Sequence, residues 1–207
     1  METAQSLEEA SRKIQVRAAN HRSSRPFLVA LDGPAGSGKS HLGSILKKRA
    51  RATVVPSDDF FAAQITDAGW DQRGPAERAR DCIDWHRIRS EALEPLLAGE
   101  SAAWYPFDFA RGPLPAGGYA LSPEPVRVPP SSLIVLEGAY SCRPELSDLI
   151  DLRVLVDAPM EVRHRRLADR EEPEFLRKWH ARWDSAEDFY FEHISPRRGF
   201  DLLVENG

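Results

Sequence analysis

Cysteine is scarce in this chain of 207 residues: only Cys82 and Cys142 occur, and neither sits in a CxxC or other metal-ligand spacing. That excludes a disulfide scaffold and a cysteine-based zinc site, and predicts two reduced thiols. No apolar run approaches the roughly 20 residues needed to cross a bilayer. The first 25 residues have no long apolar core, so no secretory leader is expected. Excess positive charge is also missing. The net charge is −4 and the pI about 5.9, which argues against a nucleic-acid partner held by bulk charge. No internal repeat suggests a solenoid. These absences together predict a cytoplasmic protein with one domain over residues 1–207.

What is present is concentrated at Gly33-Pro34-Ala35-Gly36-Ser37-Gly38-Lys39-Ser40, which reads GxxxxGKS. The apolar run Phe27–Leu31 precedes it, and His41 to Arg51 follows with Leu42, Ile45 and Leu46 at helical spacing. Strand, glycine-rich loop and helix in that order are the context a phosphate-binding loop needs. Glycines let the backbone curl so that successive N–H groups aim at a polyphosphate, and the following helix adds its positive end. The Lys39 ammonium reaches β- and γ-phosphates, and the Ser40 hydroxyl suits magnesium. His41 completes the expected nucleotide-binding stretch.

Further strands are predicted at Thr53–Val55, Leu133–Leu136, Leu152–Val156 and Leu202–Val204. Alternation of strand and helix implies an α/β fold, with five parallel strands covered by helices on both faces. Ligands bind at the carboxyl ends of such strands. Asp58 and Asp59 stand at one such end. They suit either a carboxylate that takes a proton from a hydroxyl and positions magnesium, or a helix cap or turn. Glu137 stands at another end, where an acid holds magnesium directly or through water.

Elsewhere, Ser6 and Glu9 resemble a capping box for an N-terminal helix carrying Leu7, Ala10, Ile14 and Ala18. Asp84 is placed to cap a helix that Pro95 should kink. Trp104 to Arg111 combines four aromatics with Asp108 and Arg111, a mix able to stack a flat ring or to fill a core. From Gly112 to Pro130 the chain predicts an irregular connection or a hairpin. The basic run from Arg163 to Arg170 suits either a solvated helix face or a lid over residues 161–180. In the lid reading, Arg166 and Arg170, four apart, stabilise a phosphoryl group in flight.

The residues GPAGSGKS, SDDFF at Ser57–Phe61, YPFDF at Tyr105–Phe109, LIVLEGAY at Leu133–Tyr140, VDAP at Val156–Pro159 and RRLADR at Arg165–Arg170 together resemble the uridine kinase and phosphoribulokinase branch of P-loop kinases. The resemblance implies ATP and Mg2+ as cofactors and phosphate transfer to a hydroxyl of a small-molecule acceptor. It implies Asp58 as catalytic base, Glu137 as magnesium-associated acid, and Asp81, Phe107 and Asp108 near the acceptor. Phe107 stands where uridine kinases have tyrosine, and Ala110-Arg111-Gly112 replaces the usual continuation. The resemblance makes uridine or cytidine the first expected acceptor, and these departures motivate pantothenate or a sugar-like metabolite as the alternative. An ATP-driven switch is the third reading. A GTPase is disfavoured, because neither NKxD nor a DxxG after the third strand occurs. Neither nucleic acid nor membrane is expected as a partner, and a homo-oligomer stays open.

Overall fold

The computed structural model describes residues 1–207. Strand β1 is Glu2–Ala4 and helix α1 is Leu7–Ala19. Strand β2 (Phe27–Asp32) leads through the glycine-rich loop into α2 (Lys39–Ala50) and β3 (Thr53–Pro56). A 3-10 turn at Ser57–Phe60 is followed by α3 (Asp67–Asp71) and α4 (Pro75–Asp81). Next come α5 (Trp85–Arg87), a π-helical turn at Ile88–Leu93 and α6 (Glu94–Leu97). Strands β4 (Ala102–Trp104) and β5 (Val126–Val128) form a separate antiparallel pair. Strands β6 (Leu133–Glu137) and β7 (Leu152–Asp157) precede α7 (Met160–Ala168), α8 (Pro173–Phe189) and β8 (Leu202–Glu205).

The main sheet has six parallel strands in the order β1-β8-β7-β2-β6-β3. All five expected strands are present. The sixth, β1, corrects the expected count: three residues are too few to show a period, and Glu2–Ala4 becomes a strand only by pairing with Leu202–Val204. The Ser6 side chain does accept from the Glu9 N–H of α1. The reciprocal half of the box is shifted, since Glu9 accepts from Gln5 rather than from Ser6.

Side chains alternate across the sheet as the strand period requires. Leu28, Val55, Ile134 and Leu136 face the larger core, which also holds Trp85, Ile88, Leu93, Leu96 and Trp104. Val29, Leu31, Val135, Val154 and Val156 face a second core beneath α1 and α2, with Leu7, Ile14, Leu42 and Leu46. Both faces are therefore covered, as an all-parallel sheet demands. The helical run ahead of β4 widens into its π turn just before Pro95, whose missing N–H interrupts the regular ladder. Asp84 caps that run by accepting from Arg87 N–H.

Register places the chemistry. Leu31 of β2 and Pro56 of β3 both pair with Glu137 of β6. The carboxyl ends of three adjacent strands therefore finish level, and the glycine-rich loop, the Ser57–Phe60 turn and Glu137-Gly138 emerge side by side. Gly138 has φ 137°, and a Cβ there would come within 2.0 Å of Ser57 Oγ. Only glycine lets these two strand ends approach so closely.

Candidate active site

The loop from Gly33 to Ser40 wraps around the start of α2. Its Gly33, Ala35 and Ser37 N–H groups donate to Asp32, Glu187 and Pro34 respectively. The N–H groups of Gly36, Gly38, Lys39, Ser40 and His41 have no acceptor in the protein. They are the unfilled donors of a helix N-terminus and the loop before it, an arrangement that binds anionic oxygen. Gly36, at φ 77°, also lets α7 pack against the loop, because a Cβ there would lie 2.7 Å from the Arg163 carbonyl.

Lys39 is buried, and its ammonium donates to the Gly33 and Pro34 carbonyls at 2.7 and 3.0 Å. The Ser40 hydroxyl donates to Glu137 Oε2 at 3.1 Å. Two of the three residues expected to attend magnesium are thus in contact across α2 and β6. Burial pushes the Glu137 carboxyl above its ordinary value, and the Asp58 charge pushes it further; Lys39 and the Ser40 hydroxyl oppose them.

Asp58 lies on the 3-10 turn at the end of β3. Its side chain reaches solvent at the cleft, yet protein crowds it closely. That loss of hydration raises its carboxyl, with Lys39 and then Arg170 pulling the other way. Asp59 has a different task. Its Oδ2 accepts from Trp104 Nε1 at 2.8 Å and its backbone carbonyl from Phe107 N–H at 2.7 Å. It anchors the β4 segment beside the turn, so of the two aspartates only Asp58 has a carboxylate without a hydrogen-bond partner in the protein.

Two residues central to this site escaped the sequence reading. Asp32 is completely buried at the end of β2. Its Oδ1 accepts from the Gly33 and Tyr140 N–H groups, and its Oδ2 from Cys142 N–H and from Tyr190 OH at 2.6 Å. One carboxylate thereby joins the loop entrance, the chain after β6 and the helical end of α8. Glu187 of α8 is the second: its Oε2 accepts from Ala35 N–H at 2.9 Å. An acid directly before a glycine loop was a readable signal for Asp32. Glu187, 152 positions from Ala35, had none.

The arginines of the expected lid take separate roles. Arg166 donates to the Gly36, Ser37 and Asn206 carbonyls at 3.2–3.4 Å. Its guanidinium braces the outside of the loop and is not extended over the cleft, which corrects the expectation that it closes over the transferring group. Three carbonyls converge there because β8 ends beside the loop, where Asn206 also donates to Ser37 at 2.7 Å. Arg170 is exposed, pairs with Glu171 and acts on Asp58 through its charge.

On the acceptor side, Phe107 is buried among Phe61, Phe109 and Tyr119. Asp108 caps its own turn by accepting from the Ala110 and Arg111 N–H groups. Asp81 is held by Arg80 and Arg73, which lower its carboxyl's pKa. Arg111 is exposed. The four residues expected to form one acceptor surface therefore divide: Phe107 joins an aromatic wall, Asp81 and Asp108 are engaged within the chain, and Arg111 stands in solvent.

Two cavities flank the loop. One of about 420 Å³ is lined by Gly38, His41 and Arg166 together with Gln5, Leu7 and Glu205. A smaller one of about 120 Å³ lies between α7 and α8, beside Ala35, His164, His180 and Glu187. No helix is long and apolar enough to cross a membrane.

No protein-family description matches the chain, and no curated protein matches it in sequence. Solved structures do match in fold. A protein described as a possible uridine kinase from Bacillus stearothermophilus aligns at TM-score 0.66 and 19% identity, over 95% of this chain and 99% of that one. A candidate fructose transport system kinase from Silicibacter sp. TM1040 aligns at TM-score 0.69 and 23% identity, covering 97% and 99%. D-glycerate 3-kinase from Cryptococcus neoformans var. grubii aligns at TM-score 0.61 and 17% identity, covering 96% and 95%. The chain shares the fold of these three structures along nearly its whole length.

Proposed function

We propose that this chain is an ATP- and magnesium-dependent kinase that moves the γ-phosphate to a hydroxyl of a small molecule. The observation that carries the reading is the set of unpaired N–H groups at Gly36, Gly38, Lys39, Ser40 and His41, with the Lys39 ammonium and the Ser40–Glu137 contact beside them. The larger cavity, opening beside Gly38 and His41, is where the nucleoside portion of the donor would lie.

The donor set of Ser40, Glu137 and Asp58 is all oxygen, which suits a hard cation such as magnesium. No group of three or more His, Cys, Asp and Glu side chains is arranged to hold a metal alone. That agrees with an ion shared among one or two carboxylates, phosphate oxygens and water. When bound, magnesium would neutralise charge on the β- and γ-phosphates. The chain's own residues do the rest. Loop amides orient the triphosphate, Lys39 turns from the Gly33 and Pro34 carbonyls to phosphate oxygen, and Asp58 accepts the proton of the acceptor hydroxyl. Arg170, whose charge acts on the Asp58 carboxyl, would meet charge developing on the phosphoryl group. Phosphoryl transfer asks mainly for such positioning and charge stabilisation.

A nucleoside of the uridine or cytidine kind is the first acceptor to test. A sugar-like or pantothenate-like acceptor is the second reading, favoured by a specific observation: Asp81 and Asp108, the expected polar contacts, are already bonded within the chain. A panel of both classes, scored by ADP release, separates them.

Asp58→Asn is expected to bind ATP within about 3-fold of wild type by calorimetry, while turnover falls by roughly 10²–10⁴-fold. A near-normal rate would remove Asp58 as the base. The acid limb of kcat/KM has a defined sign. Because crowding raises the Asp58 carboxyl, the base form is lost as pH falls through a midpoint above the ordinary aspartate value near 3.8. The variant should lose that limb.

A further inference from the structure

The phosphate loop carries one amide that is held by a side chain distant in sequence. Of the N–H groups pointing from the Ala35–His41 segment, the Ala35 N–H is held by a carboxylate from a distant helix, at 2.9 Å from Glu187 Oε2. The other oxygen of Glu187 meets Arg163 Nη1 at 3.4 Å, and the same nitrogen lies 3.5 Å from the Ala35 carbonyl. Glu187 therefore occupies two donors at the edge of the loop, an amide and a guanidinium, of the kind that bind phosphate oxygen, and it carries the same sign of charge as phosphate.

We propose that Glu187 is an internal occupant of the phosphate site: its carboxylate orders the loop in the nucleotide-free protein, and it sets nucleotide affinity by opposing the incoming phosphates. This rests on the reading that the loop binds a triphosphate. Three features of the structure support it. The contact joins the loop to a full-length helix rather than to a surface loop. Trp183, one turn before Glu187 on the same helix, packs against Phe61 and Trp70, so the carboxylate is carried on a helix anchored to the body of the fold. Lys39, the cation that a triphosphate would engage, lies close enough to act on Glu187 as well.

Groups facing Glu187 come from several elements. Arg163 and His164 face it from α7, Lys39 from the start of α2, and Tyr140 from the chain after β6. His180, Asp184 and Asp188 lie on its own helix. Burial pushes the Glu187 carboxyl up, opposed by the Ala35 amide, Lys39 and Arg163; Asp184 adds to the rise. Above its midpoint the carboxyl is charged and opposes phosphate. Below it the opposition disappears.

The test compares wild type with Glu187→Gln, which keeps an acceptor for Ala35 N–H but removes the charge. Binding of a non-hydrolysable ATP analogue is titrated at constant free magnesium from pH 6 to pH 8.5. The variant is expected to bind about 5–10-fold more tightly at pH 8, and the ratio of the two affinities should narrow as pH falls. Taking the ratio cancels the titration of the nucleotide itself. Equal or weaker binding by a folded variant at pH 8 overturns the proposal, because a purely structural carboxylate predicts that result. Wild-type protein supplies an independent check that survives a variant that does not fold. By linkage, the analogue should raise the Glu187 midpoint, followed by carboxyl carbon NMR, by about 0.7–1 pH unit. An unmoved midpoint overturns the proposal too. Absence of any analogue binding by wild type would instead remove the nucleotide-site reading beneath it.

Discussion

The donor and acceptor sides of the cleft are built in opposite ways. The donor side is backbone: successive amides of one loop, a lysine and a serine at the next two positions, and carboxylates at strand ends brought level by sheet register. The proposed acceptor side is side chains from three separate segments: Phe61 from the turn after β3, Phe107 and Phe109 after β4, and Trp183 from α8. A polyphosphate is the same chemical object in every donor nucleotide, so a local peptide geometry suffices to hold it. An acceptor is individual, and its recognition needs groups collected from across the fold.

If this division is right, damage to the donor side should be large and independent of acceptor. Lys39→Met is expected to lower turnover by about 10²–10³-fold with every acceptor that wild type uses. Its melting temperature should scarcely change, because Lys39 makes only two hydrogen bonds to loop carbonyls. Steady-state rates across the acceptor panel check the first part, and a thermal melt the second. An effect that varied strongly with acceptor would break the division.

Asp32 lies under the donor side and probes its foundation. Its two oxygens accept four hydrogen bonds with no exposure to solvent. In Asp32→Asn an amide NH2 must face donors, which leaves buried N–H or O–H groups unsatisfied. A loss of roughly 2–4 kcal/mol is expected, read by urea unfolding. A variant as stable as wild type would show that the loop entrance is held by something else.

The smallest effect is expected at Phe109, which packs edgewise on Phe107 and Phe61 while 67% exposed. Phe109→Ala should change stability by no more than about 0.5 kcal/mol. It should raise the KM of the acceptor several-fold and leave the KM of ATP alone. Equal changes in both constants would blur the two sides into one.

The same contrast explains which residues were legible in the chain. Gly33 to Ser40, Glu137 and Asp58 were readable because each belongs to a local pattern, a glycine loop or an acid closing a buried strand. The Asp58–Asp59 pair was ambiguous until Trp104 was seen bonded to Asp59, a contact spanning 45 positions. Arg166 illustrates the opposite error. Its spacing from Arg170 suggested one shared helix face, but α7 ends at Ala168, and only the position of β8 shows that the Arg166 guanidinium is engaged by Gly36, Ser37 and Asn206 carbonyls.

Strand and helix periods, the glycine spacing and the acids at strand ends were enough to determine the layered α/β order and to mark the candidate site for polyphosphate, because those properties follow from hydrogen bonding within a few residues. The sixth strand, the Asp32 junction, the Glu187 contact and the engagement of Asp81 and Asp108 were decided by tertiary structure alone. Each depends on partners distant in sequence, or on whether a polar side chain finds a closer donor before a ligand can, and neither is written into a local pattern.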